Sequence, residues 1–495
     1  MDGKRWIVVY GKYEGLQKRA LNLINGAVFD LYKDYISFYK ADEVCEELVK
    51  ENNLIILGSV EDNCIIKEFI DNGQITLPTA PQGYSIQIKD SPYNNDCQVM
   101  VICGADEHGV LYGAVDFVNK YCGYIIFKVG RGDMESDEYF KTAFNKKAPE
   151  WKFVSSPSIE ERAIWTWGHC IYDYKAFFDN MVMLKLNQIV IWNDYAPINA
   201  NEVVDYAHSL GIKVIWGFAW GWGVNCNYSM GMDEQSLTAL KHEIIKKYES
   251  EYACIKGDGI YFQSCTELQK EYINGKLIAE TVVNLVNDTA SALLEKYPNL
   301  LIQFGLHSDS VKNRLEFIKK VDKRVMIVWE NCGVFPFHSN RTDHLFNDSV
   351  EPVDKTVEFT KTICRLRSND EKFGMVVKGV CTLDWTNFHH QQKNLILGEK
   401  SKSFIENRTK EKQRILKMRQ ALWVRFSDYV QQIIKGVVDV RNNLNVQMVL
   451  EDGMFEKEIP LSSAVYAQLL WDCNISGEEA VCEVMQYPCV KIANI

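Results

Sequence analysis

The sequence lacks the features that mark several large classes of protein. None of its apolar runs reaches the roughly 18–20 residues that a membrane-spanning helix needs. It also has no block of basic residues, because 55 Lys+Arg are outnumbered by 66 Asp+Glu and the formal net charge is -11. A chain of this charge is poorly suited to binding nucleic acid or an anionic membrane surface. We therefore expect neither of them as a partner.

The usual signatures of metal and nucleotide sites are missing as well. The 15 cysteines include no C-x-x-C pair, and the histidines form neither H-x-H nor H-E-x-x-H. The adjacent His389 and His390 would point apart on a helix or a strand, which is a poor ligand spacing. Gly11 and Gly15 follow the first predicted strand, but the segment GKYEG has neither dinucleotide-binding nor Walker spacing. We expect no metal and no cofactor.

The N-terminus carries no recognisable secretion signal, since Met-Asp-Gly-Lys-Arg-Trp leads directly into an apolar strand. Cysteines such as Cys103, Cys254 and Cys381 lie inside apolar runs, which is typical of reduced, buried thiols rather than of disulfides. Both observations favour a cytoplasmic protein. The sequence does not indicate an oligomeric state.

What the chain does have is a regular alternation of short strands and helices, with 47% hydrophobic residues. Residues 1–150 predict a small α/β accessory domain, and the polar stretch 128–157 marks its boundary. Beyond it, helical stretches separate seven apolar runs: RAIWTW (162–167), LNQIVIW (186–192), IKVIWGF (212–218), DGIYFQS (258–264), LLIQFGL (300–306), RVMIVWE (324–330) and GVCTLD (379–384).

This rhythm predicts a TIM-type (β/α)8 barrel over residues 158–435, within an α/β fold. The eighth strand is not identifiable from the sequence, and a doubly wound open sheet is the structural alternative. Residues 436–495 are predicted to form a mostly helical C-terminal segment.

Aromatic and polar residues are concentrated where the predicted barrel strands end. In such a barrel the chemistry lies at the C-terminal ends of the strands. Indole rings stack on the apolar faces of sugars, while amide, carboxylate and imidazole groups bind hydroxyls. A single Trp at a strand end is more often core, as we expect for Trp216, but many together favour a carbohydrate site. The predicted substrate-binding residues are Trp165, His169, Trp192, Asn193, Asp194, Trp220, Trp222, Gln263, His307, Trp329 and Trp385.

Three carboxylates at strand ends are candidates for acid/base catalysis of glycoside hydrolysis. Glu267 is the candidate general acid, with a helix cap or first-turn acid as its structural alternative. Glu330 directly follows VMIVW and is the candidate base or nucleophile, with a salt bridge to a neighbouring Lys or Arg as the alternative. Asp384, in TLDW, competes for the role of Glu330, and a turn or helix-cap aspartate is equally compatible with its context.

The segment 81–123 carries a more specific pattern. PQGYSIQIKD (81–90) is followed by QVMVICGADEHGVLYGAVDFVNKYCG (98–123), in which Asp106 is also a candidate cap of the next helix. This pattern resembles the N-terminal domain shared by bacterial-type β-N-acetylhexosaminidases and α-glucuronidases. The residues that match that family are Gly104, Ala105, Asp106, Gly109, Tyr112 and Gly113.

The resemblance implies that a glycosidase (β/α) barrel follows this domain. In hexosaminidases the fourth strand ends in an Asp-Glu pair, whereas this chain has Thr266 before Glu267. In α-glucuronidases it ends in Ser-Glu, so QSCTE is the closer match, and either resemblance implies that Glu267 is the acid. The motifs VWENCG and TLDW around Glu330 and Asp384 do not match that family.

Together these features predict a glycoside hydrolase, α-glucuronidase-like or related, that acts on a small oligosaccharide or glycoside. One alternative is a β-N-acetylhexosaminidase-like enzyme in which another residue replaces the missing Asp. The other is a non-catalytic carbohydrate-binding protein on the same scaffold.

Overall fold

The computed structural model of the chain describes residues 4–492, apart from 124–143, 145–146, 194, 222–231, 265–270, 307–310, 312, 333–352, 379–393, 451 and 453. It contains an N-terminal α/β domain, a closed barrel of parallel strands and helices after the barrel. This confirms the predicted fold class and excludes the doubly wound open sheet.

The N-terminal domain is built on a six-stranded sheet in the order β2-β1-β3-β5-β4-β6. Neighbouring strands from β2 to β5 are parallel, whereas β4 runs antiparallel to both β5 and β6. The strands are β1 (Trp6–Tyr10), β2 (Ser37–Lys40), β3 (Asn53–Gly58), β4 (Tyr84–Asp90), β5 (Gln98–Gly104) and β6 (Trp151–Ser155). The helices are Gly15–Tyr32, Glu46–Glu51, Cys64–Asp71 and Glu107–Asp116, and the last continues into a π-helical turn, Phe117–Cys122.

The GADEHG motif in this domain has a structural role. Asp106 caps the helix Glu107–Asp116, because its carboxylate accepts a hydrogen bond from the Gly109 amide at 2.8 Å, as predicted. Its second oxygen accepts from the Gln82 amide at 2.8 Å. A Cβ on Gly109 would collide with the carbonyl of Gly83, so the motif glycine allows the helix to pack closely on the loop before β4.

The barrel consists of eight parallel strands that follow one another around the ring, with the last paired to the first. They are β7 (Glu161–Trp167), β8 (Gln188–Trp192), β9 (Lys213–Gly217), β10 (Gly259–Phe262), β13 (Leu301–Leu306), β14 (Val325–Cys332), β15 (Phe373–Val377) and β16 (Leu444–Val449). The short strands β11 (Tyr272–Ile273) and β12 (Lys276–Leu277) pair with each other outside the ring.

Helices surround the barrel and continue beyond it. Those between its strands are Tyr174–Met183, Ala200–Ser209, Glu234–Lys247, Ile278–Lys296, Leu315–Ile318, Val353–Cys364 and Lys402–Val438, with shorter turns at Gly168–Cys170 and Tyr248–Tyr252. After β16 the chain forms β17 (Ile459–Pro460), the helices Leu461–Trp471 and Gly477–Val484, and β18 (Val490–Lys491).

The last two barrel strands correct the sequence prediction. The seventh strand is Phe373–Val377 rather than GVCTLD (379–384), a segment that lies outside the described residues. The eighth strand, Leu444–Val449, lies inside the predicted C-terminal segment 436–495. The boundary at residue 435 therefore falls before the strand that closes the barrel.

A buried ionic network joins the three parts of the chain. Asp116, at the end of the helix Glu107–Asp116, is fully buried and accepts hydrogen bonds from Tyr84 and, at 2.8 Å, from Lys185 before β8. Lys120 lies 3.5 Å from Asp116 and 2.5 Å from Glu483 in the helix Gly477–Val484. The accessory domain is thus attached to the barrel and to the C-terminal helices through buried charges.

Candidate active site at the barrel mouth

The C-terminal ends of the barrel strands form a mouth lined on one side by aromatic rings. Because side chains alternate along a strand, Trp165 and Trp167 of β7 point to the same side, into the barrel. Their rings meet edge to face at 4.6 Å, and Trp192 at the end of β8 lies 6.0 Å from Trp165. Trp165 is buried, whereas Trp167 and Trp192 are half-buried. We refer to Trp165, Trp167 and Trp192 as the indole wall.

Glu330 of β14 reaches into the same space and is only 4% exposed. The hydroxyl of Tyr261 on β10 donates a hydrogen bond to its Oε1 atom. The side-chain amide of Gln263, just after β10, donates to Oε1 at 2.7 Å and to Oε2 at 2.6 Å. The Tyr261 ring lies 5.9 Å from Trp165 and 6.3 Å from Trp192, so the carboxylate and the indole wall share one cluster.

Two glycines make room for this cluster. A Cβ on Gly305 of β13 would collide with Oε1 of Glu330 and with the Tyr261 hydroxyl. A Cβ on Gly217 of β9 would lie 2.8 Å from Cε3 of Trp192, closer than a real contact allows. The sequence therefore leaves space at these two inward positions for a carboxylate and an indole ring.

The partners of Glu330 are neutral. Sequence analysis left open an ion pair with a neighbouring Lys or Arg, but within the described residues the carboxylate is held by a hydroxyl and an amide. Burial, together with the negative charge of Glu330, raises the pKa of Tyr261 well above its ordinary value. The phenol thus stays protonated and remains a donor across the working pH range.

Three predicted binding residues are buried outside the indole wall. Trp329 precedes Glu330 on β14 and therefore faces outward, where its indole N–H donates to Thr360 at 3.2 Å. Trp220 is fully buried and stacks on Phe262 with 3.6 Å between ring centroids. Asn193 is also fully buried. These three side chains are not part of the indole wall, and Trp216 is core as expected.

The structure brings together Glu330, Gln263, Trp165 and Trp192 from the predicted set, and it places His169 half-buried in the turn after β7. Six predicted residues lie outside the described part of the chain: Asp194, Trp222, Glu267, His307, Asp384 and Trp385.

Two members of the cluster were missing from the predicted set. Tyr261 precedes the predicted Gln263 by two residues on one strand, and Trp167 follows the predicted Trp165 by two. The period of two along a strand puts each pair on the same side of the sheet. That period was the signal that could have identified both residues.

A second buried carboxyl lies on this side of the barrel, in the segment after β16. Glu456 is 6% exposed, and its Oε1 accepts a hydrogen bond from the Tyr172 amide at 2.7 Å. Its Oε2 is buried without a hydrogen-bond partner among the described residues. Burial raises the pKa of Glu456 to about 8. Nearby, Asp452 accepts from Tyr172 at 2.5 Å and pairs with Arg408 and Lys412.

In the part of the chain that the structure describes, no three His, Cys, Asp or Glu side chains are grouped as a metal site would require. Over the same residues, no helix combines the length and the apolar character needed to cross a membrane.

Comparison with known proteins gives distant structural likenesses. No protein-family model and no curated protein matches the chain. Among solved structures it is similar to CpGH84D, with a TM-score of 0.39 and 13% identity over 97% of this chain and 91% of that one. A GH18 chitinase from Cycas revoluta in complex with (GlcNAc)4 has a TM-score of 0.36 and 11% identity, covering 63% of this chain and 99% of that one. A β-N-acetylhexosaminidase has a TM-score of 0.35 and 12% identity, covering 61% and 78%. At this distance, any function has to be inferred from the barrel mouth of the chain itself.

Proposed function

We propose that the protein is a cytoplasmic glycoside hydrolase that cleaves a small oligosaccharide or glycoside in the barrel mouth. The observation that carries the proposal is the position of Glu330. A buried carboxylate is uncommon unless it is paired or has a chemical role, and this one is held by neutral donors beside the indole wall. Half-buried indole rings next to a carboxylate can hold a sugar ring against the group that attacks it.

In this proposal Glu330 is the nucleophile, or the base that activates water. Hydrogen bonds from the Tyr261 hydroxyl and the Gln263 amide hold its carboxylate in place for either role. Glu267, which follows β10, is the proposed acid that protonates the leaving oxygen. Asp384 remains the competitor for the role of Glu330.

The sugar specificity is a finer proposal. The sequence QSCTE favours an α-glucuronidase-like or related enzyme, because the Asp that a β-N-acetylhexosaminidase would place before the acid is Thr266 here. A hexosaminidase-like activity with a replaced Asp and a carbohydrate-binding protein without turnover are the competing possibilities.

A panel of 4-nitrophenyl glycosides that includes glucuronides and N-acetylhexosaminides tests the proposal. We expect turnover of at least one member and a loss of about 10²-fold or more in kcat in Glu330→Gln, the range typical of a catalytic acid or base. The loss should extend to natural glycosides, and added azide should restore part of the activity on activated ones.

The matched control is Glu161→Gln, which changes a second buried glutamate of the barrel at its other end. Its kcat should stay within about twofold of the wild type, since general acid–base groups contribute far more than that. Full activity in Glu330→Gln would contradict the assignment of Glu330. Sugar binding without turnover of any glycoside would support the binding-protein alternative.

A further inference from the structure

The side chain of Tyr261 is held more rigidly than core packing alone would require. It is fully buried, and its ring stands edge to face against Trp165 at 71° and against Trp192 at 76°. Its hydroxyl donates to Oε1 of Glu330, in space that exists because residue 305 is glycine. The phenol therefore has one orientation, and that orientation is directed at the carboxylate.

The two oxygens of Glu330 are not equivalent. Among the described residues, Oε1 accepts from both Tyr261 and Gln263, whereas Oε2 accepts from Gln263. A carboxylate that attacks an anomeric carbon or activates water uses one oxygen and needs it in a defined position. Since Tyr261 is fully buried, it acts on Glu330 and not on a bound sugar.

We propose that Tyr261 is a positioning residue of the active site, whose hydroxyl holds Oε1 of Glu330 and leaves Oε2 as the reacting oxygen. This inference rests on the proposed function, because it gives Tyr261 a role in the step that Glu330 performs. It goes further by assigning the two oxygens and by naming a residue that touches no substrate.

The test is Tyr261→Phe, assayed with the 4-nitrophenyl glycoside that the wild type hydrolyses best. We expect kcat to fall about 10- to 100-fold, as for loss of a hydrogen bond to a charged group, with KM within about twofold. The loss should be similar on activated and natural glycosides, because the Glu330 step is impaired in both.

Tyr466→Phe is the matched control. Tyr466 is also fully buried, but its hydroxyl donates to the backbone carbonyls of Val446 at 2.9 Å and Ala163 at 3.3 Å. The variant makes the same chemical change in the outer wall of the barrel. We expect a lower thermal midpoint, with the kcat and KM of the wild type.

The outcomes separate the two proposals. An inactive Glu330→Gln combined with wild-type kcat in Tyr261→Phe would overturn the role of Tyr261 and leave the proposed function standing. A kcat loss in Tyr261→Phe no larger than in Tyr466→Phe would overturn it too, because the effect would then be that of any lost buried hydroxyl. No turnover by the wild type, or full activity in Glu330→Gln, would instead remove the proposed function and this role with it.

Discussion

The barrel buries a glutamate at each of its two ends, and their partners differ. Glu161 starts β7 at the N-terminal end and is 5% exposed, close to the 4% of Glu330 at the mouth. Lys213 and Lys372 lie 3.0 and 2.7 Å from Glu161. Burial opposes ionisation of Glu161, but the two lysines outweigh it and lower the pKa of the carboxyl. Glu330 is held by a hydroxyl and an amide instead, so two equally buried carboxylates have charged partners at one end and neutral partners among the described residues at the other.

Side chains of the barrel strands fill the N-terminal end of the barrel. Asn445 donates to Glu161 at 2.9 Å and to Gln188 at 2.7 Å, and Gln447 donates to Gln303 at 2.8 Å, which forms a buried amide layer. A cavity of about 330 Å³ lies next to it, against the N-terminal domain. Two ion pairs line it, His208 with Asp258 at 2.9 Å and Lys213 with Glu161 at 3.0 Å. At the mouth, in contrast, Trp167 and Trp192 are half-buried.

The largest stability effect that we expect is at Glu456. Its pH dependence has the opposite direction to the one expected at the N-terminal end of the barrel. Glu456, on the mouth side, has its pKa raised from 4.5 to about 8 by burial, so the unfolded chain loses its proton at a lower pH than the fold does. The contribution of Glu456 to wild-type stability therefore decreases as pH rises from about 4.5 to about 8. Glu456→Gln removes this penalty and can still accept from the Tyr172 amide. It should be more stable than the wild type by about 2–4 kcal/mol at pH 8, and equal to it below pH 4.5.

Urea unfolding of both proteins at pH 4, 6 and 8 measures this difference. A stability gap that does not change with pH would show that packing, rather than ionisation of Glu456, accounts for it. A wild type that is the more stable of the two at pH 8 would contradict the raised pKa.

The next effect has the opposite pH dependence and is expected at the other end. The folded pKa of Glu161 is lowered from 4.5, so its contribution is present above that pH and is lost as pH falls through the folded value. The side chains of Lys213 and Lys372 are 46% and 41% exposed and can turn to solvent. The stability lost in Glu161→Gln should therefore lie between the losses typical of breaking a surface ion pair and a buried one. We expect a loss of about 1–3 kcal/mol at pH 7 that shrinks in acid.

Urea unfolding at the same three pH values measures the stability loss in Glu161→Gln, with Glu330→Gln as the comparison. Glu330→Gln should keep wild-type stability at pH 7 because its neutral partners can bond an amide. If both variants lost equal stability, the contrast between the two ends would disappear.

A barrel strand could be located from the sequence only where polar residues do not occupy its inner side. Apolar runs located six barrel strands, but β16 reads LNVQMV, with Asn445 and Gln447 pointing into the amide layer. A strand with a polar inner side does not look like a buried parallel strand, and so it was missed. The short β15 begins Phe-Gly and was passed over for GVCTLD.

Alternation of side chains along a strand predicts which residues near the candidate site face into the barrel. The strand end VMIVWE identified Glu330, yet the residue before it had to face the helices, which is where Trp329 lies. Trp220 lies beyond the end of β9, where period-two reasoning no longer applies, and stacking on Phe262 decides its position. Counting indoles at strand ends did not separate the rings that face into the barrel from those that pack elsewhere.

The smallest effect that we expect concerns the accessory domain, on the N-terminal side of the comparison. Asp106→Ala removes the acceptor for the Gly109 amide and for the Gln82 amide. Gln82 in turn accepts from Arg162 of β7 at 2.8 Å, so the cap supports the junction between the domain and the barrel. Loss of a helix cap typically costs about 1 kcal/mol, and we expect that loss with an unchanged kcat of the folded protein.

Asp106→Asn is the control, because its side-chain oxygen can still cap the helix and should keep most of the stability. Thermal unfolding and kcat per folded molecule measure the two properties separately. A folded Asp106→Ala without turnover would place catalytic machinery in the accessory domain, and the division of labour between the two ends of the barrel would then be wrong. A stability loss with full turnover would show that the GADEHG motif serves only to hold the N-terminal domain against the barrel.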